Sequence, residues 1–246
     1  MNNRFIKWVD IDWTKIDKQS YLRDIPALQF TSQLSFNSNV TFFVGENGTG
    51  KSTLLEAIAV VYGLNPEGGT KNYNFSTYDS HSELHKALQL AKGALRPRGR
   101  YFLRAESFYN VASKAEEYRD NEPKEIYYAQ YGGKSLHQHS HGESFLALIQ
   151  NNFVEKGIYI LDEPEAALSP QRQLTLLLEI NKLACKGSQF IIASHSPILL
   201  GLPEALILSF DDGEIHTCEY YDTESYQVTE MFINNRDYLL KRLLSD

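Results

Sequence analysis

The chain has 246 residues, enough for one sizeable domain or two small ones. Hydrophobic residues at 42% and charged residues at 22% exclude a disordered or fibrous protein. With 24 Lys plus Arg against 31 Asp plus Glu the net charge is -7, which excludes a surface that coats nucleic acid all over but leaves room for a local basic patch.

In chain order, strand signals fall at 4–11, 28–36, 40–44, 100–105, 157–162, 188–194, 205–210 and 214–219. Each is a short run rich in β-branched or aromatic residues between turn formers. The runs around Tyr159 and Ile191 are continuously apolar, as central strands covered on both faces are. Helical spacing of apolar residues predicts helices over 52–64, 82–90, 143–153, 170–184 and 237–244. The fourth has Ser169 as cap, Pro170 in its first turn and Gly187 beyond its end. Loop composition marks 65–78 and 119–124. Strands alternating with helices predict an α/β fold with a largely parallel sheet.

No stretch of about 18 apolar residues exists, so no direct membrane insertion is expected. The first residues carry no basic region followed by an apolar core, and the expected location is cytoplasmic. Cys185 and Cys218 lie far apart and outside any CxxC, which argues against a disulfide scaffold or a cysteine-based zinc site.

Two segments carry chemistry. Gly45, Glu46, Asn47, Gly48, Thr49, Gly50, Lys51 and Ser52 fit GxxxxGK[ST], with Thr53 next, between an apolar strand and a helix. The glycines let backbone N–H groups converge on phosphates, and the helix N-terminus adds its dipole. Lys51 reaches the β- and γ-phosphates of a nucleotide, and the Ser52 hydroxyl ligates Mg²⁺. The apolar run 158–161 then ends in Asp162 and Glu163, placing carboxylates at the edge of a buried strand. In such a place Asp162 holds Mg²⁺ and Glu163 polarises an attacking water.

With these residues the sequence resembles the ATP-binding-cassette (ABC) class of P-loop ATPases. The likeness rests on order as well as content. After the P-loop, Ser140, His141, Gly142, Glu143 and Ser144 look like a variant of that family's signature. The strand ending at Glu163 follows, then 164–169, similar to its D-loop, and a further strand ends at His195, like its switch histidine. The resemblance implies a mixed sheet flanked by helices, in one domain over 1–246. A helical lobe would lie at about 65–155, between P-loop and signature, and a C-terminal extension at 211–246. It also implies an ATP-dependent homodimer, head to tail, with ATP and Mg²⁺ between one subunit's P-loop and the other's signature. Ser140, Gly142 and Glu143 would face the γ-phosphate there and His195 would sense it. A motor of this kind hands its motion to an effector or client protein.

Several features depart from the family pattern. His141 and Glu143 replace a glycine and a glutamine of the usual signature, and no Q-loop glutamine is evident. Glu106 lies where it would fall and is the candidate there for a metal contact. Tyr21 and Trp13 are candidates to stack on adenine, weighed against ordinary core roles. His137, His139 and His141 alternate as metal ligands on a strand would, but they run into the signature. His81 and His85 have zinc-helix spacing, yet Ser82 stands where a catalytic glutamate belongs. A GTPase would need an NKxD, which is absent, and the short interval from Lys51 to Ser140 leaves no room for a coiled-coil arm. The alternatives that remain are the nucleotide-binding subunit of a transporter and a slowly hydrolysing dimerisation switch. The basic stretch from Lys92 to Arg104, with Arg96, Arg98 and Arg100, offers a contact for DNA backbone or an acidic protein. Family analogy favours DNA maintenance or defence against foreign DNA over transport.

Overall fold

The computed structural model describes residues 4–65, 82–105 and 141–245, apart from the side chain of His141. Among these, the elements in order are β1 (Ile6–Ile11), α1 (Pro26–Gln29), β2 (Gln33–Ser35), β3 (Val40–Val44), α2 (Lys51–Tyr62), α3 (Leu84–Ala87), β4 (Leu88–Lys92) and β5 (Arg100–Arg104). The second half adds α4 (His141–Asn152), β6 (Ile158–Asp162), α5 (Pro170–Cys185), β7 (Gln189–Ala193), α6 (Pro197–Leu200), β8 (Leu206–Ser209), β9 (His216–Thr217) and α7 (Glu224–Leu243).

Six strands form the main sheet in the order β5-β6-β7-β3-β8-β9, parallel throughout except for β9, which pairs antiparallel with β8 at the edge. A separate antiparallel sheet has the order β2-β1-β4. The continuously apolar runs occupy the middle of the main sheet, where β3, β6 and β7 are buried at every position. Their alternate side chains feed two cores. Phe42, Tyr159, Leu161 and Ile192 point to the face covered by α4 and α5. Phe43, Ile158, Ile160 and Ile191 point to the face covered by α2 and the small sheet. Gln189 stitches the two sheets together: its side-chain oxygen accepts from the backbone N–H groups of Phe5 (2.8 Å) and Ile6 (2.9 Å), and its amide donates to the Ile6 carbonyl (2.8 Å). A buried amide satisfied in this way fixes the register between layers.

Three expected elements differ. Residues 82–90 form one helical turn and then β4, because pairing with β1 (Asp10 beside Gln89, Val9 beside Leu90) takes the backbone that a helix would need. Strand 28–36 shrinks to Gln33–Ser35, since Pro26 starts a helical turn through Gln29. The last helix begins at Glu224 rather than near 237 and bends at Asn235, whose φ is -129°. Within the range 65–155 where a lobe is expected, the described residues include β4 and the expected strand β5, which is an edge strand of the main sheet; residues 66–81 and 106–140 lie outside the described residues. Ser169 does sit at the N-cap of α5, but its side chain makes no capping hydrogen bond.

Candidate functional site

Parallel strands bring their C-terminal ends to one edge, and every described site residue lies there or on the helix that follows. After β3 the chain turns through Gly45 (φ 134°), Gly48 (φ 84°) and Gly50 (φ 96°) into α2. A Cβ at Gly50 would stand 2.9 Å from both Ile25 Cγ2 and Leu28 Cδ1, so only glycine lets the loop lie this close to the 25–28 turn. Asn47 and Gly48 are exposed, and Thr53 is half-buried in the first turn of α2.

Lys51 is buried under this loop, where its Nζ donates to the carbonyls of Gly45 and Glu46, each at 2.6 Å. Burial pushes its pKa down, while Glu163, Asp211, Asp162 and Glu165 around it oppose that shift. The Ser52 hydroxyl donates to Asp162 Oδ1 at 2.9 Å, joining the two halves of the motif pair across 110 residues. Asp162 is buried at the end of β6. Its other oxygen lies 3.3 Å from Arg104 Nε, and Arg104 Nη1 lies 3.3 Å from Glu56 Oε2.

Glu163 adopts φ 49°, a left-handed conformation that is uncommon outside glycine. Its N–H donates to the Ala193 carbonyl (3.0 Å), which holds the residue against the end of β7. His195 follows that strand, with Nε2 buried, without a hydrogen-bond partner and 3.7 Å from Glu163 Oε1. Burial, then the charge of Lys51, holds the imidazole below its usual pKa, so it is neutral near pH 7 and the 3.7 Å approach is not an ion pair. The His195 backbone N–H donates to Glu165 Oε1 at 2.5 Å, while Oε2 of the same carboxyl is buried without a partner. Burial raises the Glu165 pKa, and nearby Glu163 adds to that.

Gly142 and Glu143 begin α4 beside the turn that follows Glu163. A Cβ on Gly142 would meet the Ala167 carbonyl oxygen at 2.8 Å, and Glu143 Oε1 accepts from Arg172 Nη2 at 2.8 Å. Ser140 and Glu106 lie outside the described residues, as do His81, His137 and His139. Trp13 is tied down by its indole N–H to the Thr31 carbonyl (2.9 Å) at the edge of the core, and Tyr21 is exposed. In the basic stretch Lys92, Arg96, Arg98 and Arg100 are exposed, but Arg104 turns inward to Asp162 and leaves that surface.

Three residues at this edge belong to no recognisable motif. Asp211 Oδ1 accepts the Glu46 N–H at 2.9 Å and braces the P-loop from β8; the carboxyl lies against Gly45, where a Cβ would be 2.8 Å from Oδ1. Glu56 and Arg104 also meet here, and their place beside the motif residues is the only signal that marks them, whereas Glu165 lies in the 164–169 segment similar to a D-loop. A cleft of about 1330 Å³ opens over the edge, lined among others by Asn47, Glu163, His195, Asp211 and Glu224. Among the described residues no cluster of His, Cys, Asp and Glu is arranged to hold a metal by itself, and no helix is long and apolar enough to cross a membrane.

Comparison with known proteins speaks for the family and the fold. A family model described as an AAA domain matches residues 22–158, more than half of the chain. A second, described as an AAA domain, putative AbiEii toxin of a type IV toxin–antitoxin system, matches 144–201. The chain is 27% identical over 186 residues to the ribose import ATP-binding protein RbsA of Bacillus cereus, covering 69% of this chain and 37% of that protein. It thus spans little more than a third of that curated relative. Among solved structures, cbiO1 of Clostridium perfringens, part of the ABC transporter complex cbiONQ, superposes with a TM-score of 0.54 at 18% identity, over 97% of this chain and 99% of that one. A putative metal-chelate type ABC transporter in an inward-facing conformation superposes with a TM-score of 0.52 at 15% identity, over 93% and 88%. At these identities the structural likeness speaks for the fold.

Proposed function

The chain belongs to the AAA-domain family of P-loop ATPases, and from that premise we propose that it binds ATP with Mg²⁺ and hydrolyses it to ADP and phosphate at a composite site between two copies. The observation that carries the reading is the 2.9 Å hydrogen bond from Ser52 to Asp162, which brings the P-loop hydroxyl and the strand-end carboxylate into one oxygen-donor set. That set suits a hard cation such as Mg²⁺. Ser52 and Asp162 would hold the ion, and its charge would screen the β- and γ-phosphates.

The residues divide the work. Gly45, Asn47, Gly48, Gly50 and Thr53 supply the loop and helix start against which phosphates dock. Lys51 exchanges two carbonyl acceptors for phosphate oxygens, a stronger charge-assisted contact. Glu163, held at the strand end, accepts the proton of the attacking water. His195, neutral and with Nε2 unpaired, serves the γ-phosphate as a hydrogen-bond donor. Ser140, Gly142 and Glu143 of a second copy complete the site across the dimer, and the cycle is passed to an effector or client protein.

Lys51→Ala should abolish tight ATP binding in calorimetry. Glu163→Gln should slow hydrolysis by about 100-fold or more while keeping ATP bound and the dimer closed in light scattering with Mg²⁺. Unchanged ATP affinity in the first variant would refute the assignment of the P-loop. A Glu163→Gln protein that binds ATP yet stays monomeric would refute the composite site.

A further inference from the structure

We propose that Arg104 is the resident counter-cation of the metal carboxylate, and that it keeps the site from taking up free divalent cations so that the metal enters with the nucleotide. The inference rests on the reading of Ser52 and Asp162 as the Mg²⁺ ligands and adds a gate to that site.

Arg104 closes β5, directly beside Asp162 in the parallel pairing of β5 with β6. Its guanidinium spans two acids: Nε stands 3.3 Å from Asp162 Oδ2 and Nη1 stands 3.3 Å from Glu56 Oε2. Glu56 lies one helical turn beyond Ser52 on α2 and is fixed by accepting the Ser82 N–H at 3.2 Å. Both carboxyl side chains are largely withdrawn from water, with 5% of Asp162 and 13% of Glu56 exposed. Two such carboxylates beside the Ser52 hydroxyl are the oxygen set that a hard divalent cation seeks. Burying them without a counter-charge is costly, and the guanidinium provides one.

The same charge opposes a second cation at the site. A free divalent ion would take this cluster of two carboxylates and one guanidinium from a net charge of about -1 to about +1 in a poorly solvated place, whereas without Arg104 it would neutralise the two acids. When the ion arrives together with ATP, the phosphates bring the negative charge that offsets it. The contact to Asp162 Oδ2 leaves Oδ1 turned to Ser52, so Arg104 orients the carboxylate while withholding it from free metal.

Calorimetric titration of the nucleotide-free protein with Mn²⁺ tests this. Wild type should bind Mn²⁺ weakly, Arg104→Met about tenfold or more tightly than that, and Arg104→Lys like wild type. Adding Asp162→Asn to Arg104→Met should remove the new site, which separates it from the acidic cleft. An affinity in Arg104→Met equal to or weaker than wild type overturns the proposal, as a purely structural ion pair would give. So does a tighter affinity that survives Asp162→Asn. Should Arg104→Met fail to fold, Glu56→Gln takes its place. With one acid gone Arg104 weighs more heavily on Asp162, and the Mg²⁺ concentration that half-saturates binding of fluorescent ATP should rise several-fold; no rise overturns the proposal. Wild type that binds no Mg·ATP at all refutes the ATPase reading instead, and the Mn²⁺ comparison still judges Arg104.

Discussion

Replacing Gly142 by alanine tests whether the signature helix bears on the catalytic turn. The new Cβ would lie 2.8 Å from the Ala167 carbonyl oxygen and 2.8 Å from Arg172 Nη1. Neither neighbour yields freely. Ala167 belongs to the turn Pro164–Ala167, closed by the Ala166 N–H on the Glu163 carbonyl (3.1 Å), and Arg172 is held by Glu143 at 2.8 Å. Restoring ordinary contact requires a retreat of about 0.6 Å, and overpacking of this size costs about 1–3 kcal/mol. The helix propensity of alanine returns at most about 1 kcal/mol, less in a first turn. A net loss of about 1–2 kcal/mol should lower the melting temperature by about 2–8 °C in a chain of this size. Because Glu163 precedes this turn, the displacement reaches the carboxylate proposed as the general base. Hydrolysis should fall by about tenfold, in keeping with the steep dependence of rate on placement, while ATP binding to the P-loop changes little. Circular-dichroism melts and a coupled phosphate-release assay measure both. An unchanged or higher melting temperature with unchanged turnover would refute the contact.

Charge supplies two more tests. Glu165 has its pKa raised by burial, so the native chain holds that proton more firmly than the unfolded one; the stability contributed is full below the ordinary carboxyl value of 4.5 and is lost as pH rises through the folded pKa. Glu165→Gln lacks this pH dependence, and its urea midpoint should rise relative to wild type as the pH climbs from about 4.5 to about 8; a constant difference across that range would contradict the buried carboxylate. On the surface, charge reversal of Arg96, Arg98 and Arg100 should flatten the salt dependence of DNA binding by a slope of about 0.9 for each phosphate that is no longer neutralised. Wild type that binds no DNA at about 50 mM salt with ATP present points to a protein client.

The main sheet is legible in the sequence because its central strands are short runs apolar at four of five positions and buried at every one, as strands covered on both faces are. The small sheet is not. Residues 84–92 satisfy helical and strand spacing alike, and the choice falls to β1, whose free edge pairs with Leu88–Lys92. The final helix is longer than its spacing predicts because Asn234 and Asn235 interrupt the pattern without ending the helix; the bend at Asn235 is accommodated with its side-chain amide on the Met231 carbonyl at 3.2 Å.

The site divides the same way. Lys51 and Ser52 announce themselves through local spacing within one strand–loop–helix unit, and Asp162 and Glu163 through their place at the end of an apolar run. Neighbours in sequence put Arg104 in a basic run, whereas its role comes from its neighbour in the sheet. Parallel strands in register put residues at equal heights on the same face, and Arg104 stands level with Asp162. Once β5 and β6 are recognised as adjacent and ending together, an arginine beside Asp162 follows from pairing alone. Glu165 is the harder case. Its partner is the backbone N–H of His195, which no side-chain pattern encodes, so only the approach of the two loops at the sheet edge reveals it. Sequence motifs thus mark the groups proposed to meet the nucleotide, while neighbours such as Arg104 and Asp211 that contact them are specified by strand order and register.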